Sequence, residues 1–268
     1  MRLCTFEVAG RLAPGRIEGD RVVELGAHSL AEWLASGGGE VGEHSLDAIS
    51  LRAPIPQPPS VRDFYAFEQH VRTARASRGL EVPPEWYGRP VFYFSNPAAT
   101  YGPEDEISFP AASSEWDYEL EVAAVIGAEG RIAGFTVLND WSARDLQRAE
   151  MTVGLWPAKG KDFATSLGPV LVTPDELGDL RLEMTARVNG EERSRGNLGD
   201  IHWSFEELAA HAAESTRLVP GDVLGSGTVG TGCILEHGDG RWLQPGDLVE
   251  LEIERIGVLR NRVGPKAA

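Results

Sequence analysis

The order of apolar and polar positions along this chain favours strands over helices. Strand-like runs occur at Arg2–Val8 and Arg21–Leu25, at residues 134–138, and, with clear alternation, at residues 182–188 and 248–256. Residues 122–126 are apolar without interruption, which reads as a strand buried in a sheet. Asn189-Gly190 comes after the run at 182–188 and is the dipeptide of a type I′ hairpin, so a returning strand is expected beyond it. Helical patterns are few. Ser29-Leu-Ala-Glu32 and Ser204-Phe-Glu-Glu207 have capping-box spacing; the first opens a short helix that Gly37 to Gly39 would end, and the second a helix over 205–213. Phe64, Phe67 and Val71 recur at helical spacing behind Asp63, which stands where an N-cap would. Pro220-Gly-Asp and Pro245-Gly-Asp are turns, residues 79–114 are mostly Pro-rich loop around an apolar run at 91–94, and residues 154–168 form a Gly-, Lys- and Pro-rich loop. The result is a strand-rich α+β chain. The proline-dense segment 53–60 (APIPQPPS) divides a small α+β unit, residues 1–52, from a main domain at 61–268.

Composition narrows the classes of function. The chain has 268 residues and a hydrophobic content of 42%, enough for one large core or one core and a small appended domain. Its net charge of −16 argues against sequence-independent nucleic-acid binding, which needs clustered Lys and Arg. Cys4 and Cys233 are too few for a disulfide framework and lack CxxC spacing, so a reducing cytoplasm is expected. The N-terminus MRLCTFEVAGRL carries charges where an export signal needs an apolar core, and no run approaches the length of a membrane span.

Chemistry concentrates between Glu115 and Gln147. Asp117, Glu119 and Glu121 are two residues apart, which on one strand gives them a common face, and Asp140 ends the next strand-like run. Such spacing also fits a solvated sheet face. Set against an apolar run, however, the carboxylates need a partner, and oxygen donors with no Cys or His between them suit Mg²⁺, Mn²⁺ or Ca²⁺. Lys159 and Lys161 come next in the loop, adding cations beside the acids, as expected where an anionic substrate meets a metal. His70, seven residues after Asp63, has the intrinsic acidity of a general base, although each residue alone fits an N-cap or an ordinary histidine. Gly225-Ser-Gly-Thr-Val-Gly230 matches GxGxxG, but the stretch after it, Thr231 to Gly240, cannot open the helix that a dinucleotide site requires.

The set RDFYAFEQH, YELEVAAVIG, LNDWSARDLQ, PAKGKDFATSLGP and GSGTVGTG, in this order, resembles the fumarylacetoacetate hydrolase family over residues 61 to about 256. NDWSARDLQ is its most specific piece. The resemblance implies a mixed β-roll with a small N-terminal domain, assembled as a homodimer, and a divalent cation, Mg²⁺ foremost, with no organic cofactor. It implies Glu119, Glu121 and Asp140 as metal ligands, with Asp63 a further one found in the fumarylacetoacetase branch; Asp117 matches no ligand. His70 matches the histidine that activates water, and Glu236 the glutamate that orients it, across a loop shorter than in fumarylacetoacetase. Lys161 and Gln147 match the groups facing developing negative charge. Arg144, Tyr65, Tyr93 and Thr228 match groups that contact substrate. The implied reaction is hydrolysis of a C–C bond in a β-diketo acid or acylpyruvate; decarboxylation, hydration or isomerisation of a 2-oxo acid such as oxaloacetate is the alternative. Some acylpyruvate hydrolase and decarboxylase relatives carry a glutamate three residues after the histidine. Thr73 stands there, which directs the resemblance toward the fumarylacetoacetase-like hydrolases.

Overall fold

The structure is a computed structural model that describes residues 1–154 and 157–267. Its largest sheet runs in the order Glu40–Ser45, Arg21–Leu25, Arg11–Glu18, Arg2–Val8, Thr165–Val172, Ile132–Asp140, Leu120–Ile126, Val223–Gly225, Val61–Phe64, Phe92–Ser95. Ser50–Arg52 and Thr100–Tyr101 pair off that path. A second sheet orders Glu191–Asn197, Glu183–Val188, Leu248–Ile253, Gly257–Val263 and Glu106–Ile107, and Trp116–Asp117 pairs with Ser142–Ala143. Helices are short and peripheral, so the fold is α+β and strand-rich. Among the described residues no helix is long and apolar enough to cross a membrane.

The strand Leu120–Ile126 shows why its sequence does not alternate. Leu120, Val122, Ala124 and Ile126 enter the main core with Phe135, Trp141 and Phe205, whereas Ala123 and Val125 enter a second cluster with Leu138, Leu167 and Val223. Both faces are covered, so both parities are apolar. Residues 1–52 attach to this frame through the strand Arg2–Val8, which pairs antiparallel with Thr165–Val172, and Cys4, Phe6 and Val22 lie in the main core.

Local signals explain most of the turns. Asn189 and Gly190 hold φ of 53° and 80°, the left-handed pair of a type I′ hairpin. Ser204 and Glu207 complete a reciprocal capping box at the helix Phe205–Ala212. At Leu30–Ser36 the Ser29 hydroxyl accepts from Glu32 N, but Glu32 reaches the His28 amide instead of that of Ser29. In both Pro-Gly-Asp turns the aspartate accepts the amide three residues before it, Val219 N and Gln244 N, each at 2.8 Å.

Three expectations need correction, and one strand, Arg11–Glu18, has no signal in the sequence. Asp63 lies within the strand Val61–Phe64 and caps nothing; the helix Glu68–Ala76 begins later, behind Phe67. The run at 248–256 is a strand only to Ile253, then turns and returns as Gly257–Val263. Arg11–Glu18 is a strand despite Pro14 and Gly15. Gly15 is needed because a Cβ there would stand 2.4 Å from the Val22 side chain. Of the loop expected at 154–168, residues 165–168 belong to the strand Thr165–Val172, and 155–156 lie outside the described residues.

Candidate active site

Three strands deliver four carboxylates to one point. Glu119 and Glu121 enter at the start of Leu120–Ile126. Asp140 ends the antiparallel neighbour, where Leu120 pairs with Asn139. Asp63 arrives on Val61–Phe64, in register with Gly225 of the strand between. Asp63, Glu119, Glu121 and Asp140 are all buried and place an oxygen apiece within 4.8 Å of one another.

The GxGxxG segment supplies room for that approach. A Cβ on Gly225 would stand 2.5 Å from Asp63 Oδ1, and one on Gly227, where φ is 78°, would stand 2.4 Å from Phe64 O. Gly227 N donates to Glu121 Oε2 at 3.0 Å and Thr228 Oγ1 to Glu121 Oε1 at 3.4 Å. The glycines therefore seat carboxylates, and the site of a phosphate is not formed.

Two cations stand among these acids. Lys161 Nζ donates to Glu119 Oε2 and Asp140 Oδ2, each at 2.6 Å, and Arg144 Nη2 lies 2.7 Å from Glu119 Oε1. Burial works against the charge on Glu119, yet Lys161 and Arg144 hold its carboxyl below the usual range. The remaining acids go the other way. Burial, then the charge of Asp140, pushes Asp63 well up; burial, then Asp63, does the same to Glu121; burial raises Asp140, with Lys161 opposing. Asp63 Oδ1 and Asp140 Oδ1 are buried without a hydrogen-bond partner. An all-oxygen donor set, crowded by like charge and left with orphaned acceptors, fits a hard divalent cation.

Asp117 does not share the carboxylate face. Its strand, Trp116–Asp117, is separate from Leu120–Ile126. The side chain is buried among donors alone: Arg144 Nε at 2.8 Å, Ile234 N at 2.7 Å and Leu235 N at 3.1 Å. It thereby ties Arg144, and through it Glu119, to the helix Ile234–His237.

That helix carries Glu236, whose Oε2 lies 3.3 Å from Nδ1 of His70 on the helix Glu68–Ala76. The Tyr65 ring stands edge-on to His70, with centroids 5.3 Å apart. A cavity of about 690 Å³ is lined by Asp63, Tyr65, His70, Tyr93, Glu119, Arg144, Gln147, Lys161 and Thr228, with Val71, Trp86, Phe92 and Met151 as apolar wall. Glu121, Asp140 and Glu236 do not line it but meet residues that do. Lys159, expected beside the acids, is instead exposed and pairs with Asp162 at 2.8 Å. Several site residues are engaged with protein groups: the Tyr93 hydroxyl donates to Asp140, Gln147 Oε1 accepts from Arg144 Nη1 at 3.0 Å, and Arg144 faces Asp117 and Glu119.

Sequence reasoning missed two supports. Glu150 accepts the amides of Ala158, Lys159 and Gly160 at 2.9, 2.7 and 3.1 Å, so the helix Arg144–Met151 holds the loop that presents Lys161. The Cys233 thiol faces Glu236 Oε2 at 3.8 Å. Neither has a local sequence signal, because each acts on a loop or a residue brought in by the fold.

The family model described as fumarylacetoacetate (FAA) hydrolase C-terminal matches residues 60–264. Oxaloacetate tautomerase YisK of Bacillus subtilis is 32% identical over 96% of this chain and 87% of its own length. The 2,4-didehydro-3-deoxy-L-rhamnonate hydrolase of a Sphingomonas species is 30% identical over 98% and 96%. Among solved structures, 5-carboxymethyl-2-hydroxymuconate delta-isomerase from Mycobacterium smegmatis superposes with a TM-score of 0.80 at 29% identity, covering 99% of this chain and 100% of the other.

Proposed function

The chain belongs to the fumarylacetoacetate hydrolase family, and from that premise we propose that it is a divalent-metal-dependent hydrolase of a C–C bond in an acylpyruvate or related β-diketo acid. The observation that carries this reading is the pairing of His70 with Glu236 across the same cavity as the buried carboxylate cluster. Glu119, Glu121, Asp140 and Asp63 would hold the cation. When bound, it polarises the carbonyl oxygens of a 2-oxo acid and offsets the charge of its enolate.

Glu236 Oε2 faces His70 Nδ1 at 3.3 Å, and a proton carried on that nitrogen leaves Nε2 as the proton acceptor. His70 takes a proton from water, and the hydroxide adds to the distal carbonyl. The bond between that carbon and the next breaks, and its electron pair passes into the enolate of pyruvate. Lys161 and Gln147 face the developing charge, and Arg144 keeps Glu119 ionised and in place. His70 then returns its proton to the enolate carbon. One water is consumed, and pyruvate and a carboxylic acid leave.

A second reading is favoured by the likeness to an oxaloacetate tautomerase: His70 would move a proton between carbon and oxygen of an oxaloacetate enol, with no bond cleaved. Both reactions share proton transfer at the carbon between two carbonyls. The proposal also makes the chain a homodimer, which light scattering on the purified protein tests. For the reaction, EDTA-stripped protein with Mg²⁺ or Mn²⁺ restored is offered an acylpyruvate and enol oxaloacetate. Metal-dependent release of pyruvate and the free acid supports hydrolysis. Ketonisation of oxaloacetate without acylpyruvate cleavage supports the second reading, and silence on both contradicts the proposal.

A further inference from the structure

Among the described residues, two groups of metal-type side chains bring ligand atoms within 4.8 Å of one another. One is the carboxylate cluster. The other is His70, Cys233 and Glu236, with chemistry of a different kind: one imidazole nitrogen, one sulfur and one carboxylate. We propose that these three form a second metal site, selective for Zn²⁺-class cations, whose occupation switches the neighbouring centre off.

Spacing supports the site first. Glu236 Oε2 stands 3.3 Å from His70 Nδ1 and 3.8 Å from Cys233 Sγ. Ligands of a tetrahedral zinc with bonds of about 2.0–2.3 Å stand roughly 3.3–3.8 Å apart. The second support is unmet bonding. His70 Nδ1 and Glu236 Oε1 are both buried with no hydrogen-bond partner, on side chains only 6% and 2% exposed. His70 lines the cavity whereas Cys233 and Glu236 do not, so a cation reaches the three ligand atoms past the His70 ring.

Ligand softness separates the two groups. Mg²⁺ and Ca²⁺ prefer all-oxygen sites, whereas a thiolate and an imidazole select Zn²⁺ and its neighbours. Binding replaces the Cys233 S–H bond with an S–metal bond and releases the proton to water, so affinity rises with pH. The consequence for His70 lies in its two nitrogens. A cation on Nδ1 displaces the proton there, and a neutral imidazole must then carry its proton on Nε2. The nitrogen that accepts a proton in the proposed reaction is thereby closed. This inhibitory half rests on the function proposed above; the binding half does not.

The test uses full-length protein with its carboxylate cluster kept saturated by excess Mg²⁺ and reads Co²⁺ as a coloured substitute for Zn²⁺. The expected result is about one equivalent of Co²⁺ giving a thiolate-to-cobalt charge-transfer band, displaced by Zn²⁺ and lost in Cys233→Ala. Glu236→Gln, a second variant that leaves the thiol in place, should weaken the Co²⁺ affinity at least about tenfold. Zn²⁺ should inhibit wild-type turnover despite excess Mg²⁺, and Cys233→Ala, measured against its own activity, should need at least about tenfold more Zn²⁺. Absence of the band, or a band unchanged in Cys233→Ala, overturns the site. So does Zn²⁺ inhibition that excess Mg²⁺ reverses equally in both proteins, since that places Zn²⁺ at the carboxylates. A band without turnover of either oxo acid would leave this site standing and fault the proposed reaction.

Discussion

The chain writes the same acidic pattern twice. Asp117, Glu119 and Glu121 are spaced like Glu250, Glu252 and Glu254, each set three acids at alternate positions. In the C-terminal set the acids are at least partly exposed and meet arginines across the sheet: Arg260 Nε donates to Glu250 at 3.0 Å and Arg187 Nη1 to Glu252 at 2.7 Å. In the first set Glu119 and Glu121 are buried: Glu119 shares Lys161 with Asp140 and Arg144 with Asp117, Glu121 accepts from Gly227 N and Thr228 Oγ1, and Asp63 and Asp140 keep orphaned oxygens. The residues between and beyond the acids separate the two sets. Polar and apolar residues continue to alternate in Leu248–Ile253, so one face stays in water, whereas Leu120–Ile126 is covered on both sides. An acidic stripe becomes a cation site when the strand that bears it has no wet face.

The sharpest break of this comparison is Glu119→Ala. Removing one partner of a buried ionic network costs on the order of 3–5 kcal/mol, so Mn²⁺ affinity and metal-dependent turnover should each fall about a thousandfold, read by titration and by assay. Next, His70→Ala should lower turnover by about 10²- to 10⁴-fold while Mn²⁺ affinity is unchanged. Equal loss of both would place His70 in the cation site. Asp117→Asn sharpens the contrast within the first set. Its partners are all donors, and an amide must turn its NH₂ toward some of them, so thermal or denaturant unfolding should show a loss of about 3 kcal/mol.

Metal removal has a predicted pH dependence. Burial raises Asp63, Glu121 and Asp140, so without metal the folded state keeps protons that the unfolded chain gives up above about pH 4. Stability of the stripped protein should therefore fall as pH rises from the ordinary carboxylate range through these raised values. Glu119, held low, keeps its contribution throughout that window and loses it only in stronger acid. Melting curves at acidic and alkaline pH should diverge without Mg²⁺ and converge with it. The smallest effect belongs to the second set: Glu250→Gln or Glu252→Gln should change stability by about 0.5 kcal/mol or less and leave Mn²⁺ binding untouched.

Local rules make much of this molecule readable. The hairpin at Asn189-Gly190, the Ser204 capping box and the uninterrupted apolar run each depend on a few neighbouring residues. Asp63 misleads because Phe64 and Phe67 have helical spacing by coincidence: Phe64 ends a strand and Phe67 precedes the helix. Pro14 and Gly15 look like a turn, but Gly15 is small because Phe6 and Val22 press on its Cα. The hub at Asp117 and the support from Glu150 are invisible for another reason. Apart from Arg144, their partners are backbone amides at 234–235 and 158–160, which carry no identity in a sequence. Carboxylates can be located by type, but how many cations they share can only be counted once the strands are assembled.

Titration of metal-free protein with Mn²⁺, in wild type, Glu119→Ala and Glu250→Ala, tests the distinction between the two acidic stripes most directly. The account predicts one Mn²⁺ bound per chain in wild type and Glu250→Ala, and a thousandfold weaker binding, about 4 kcal/mol, in Glu119→Ala. Equal affinity in all three, or no binding in wild type, would contradict it.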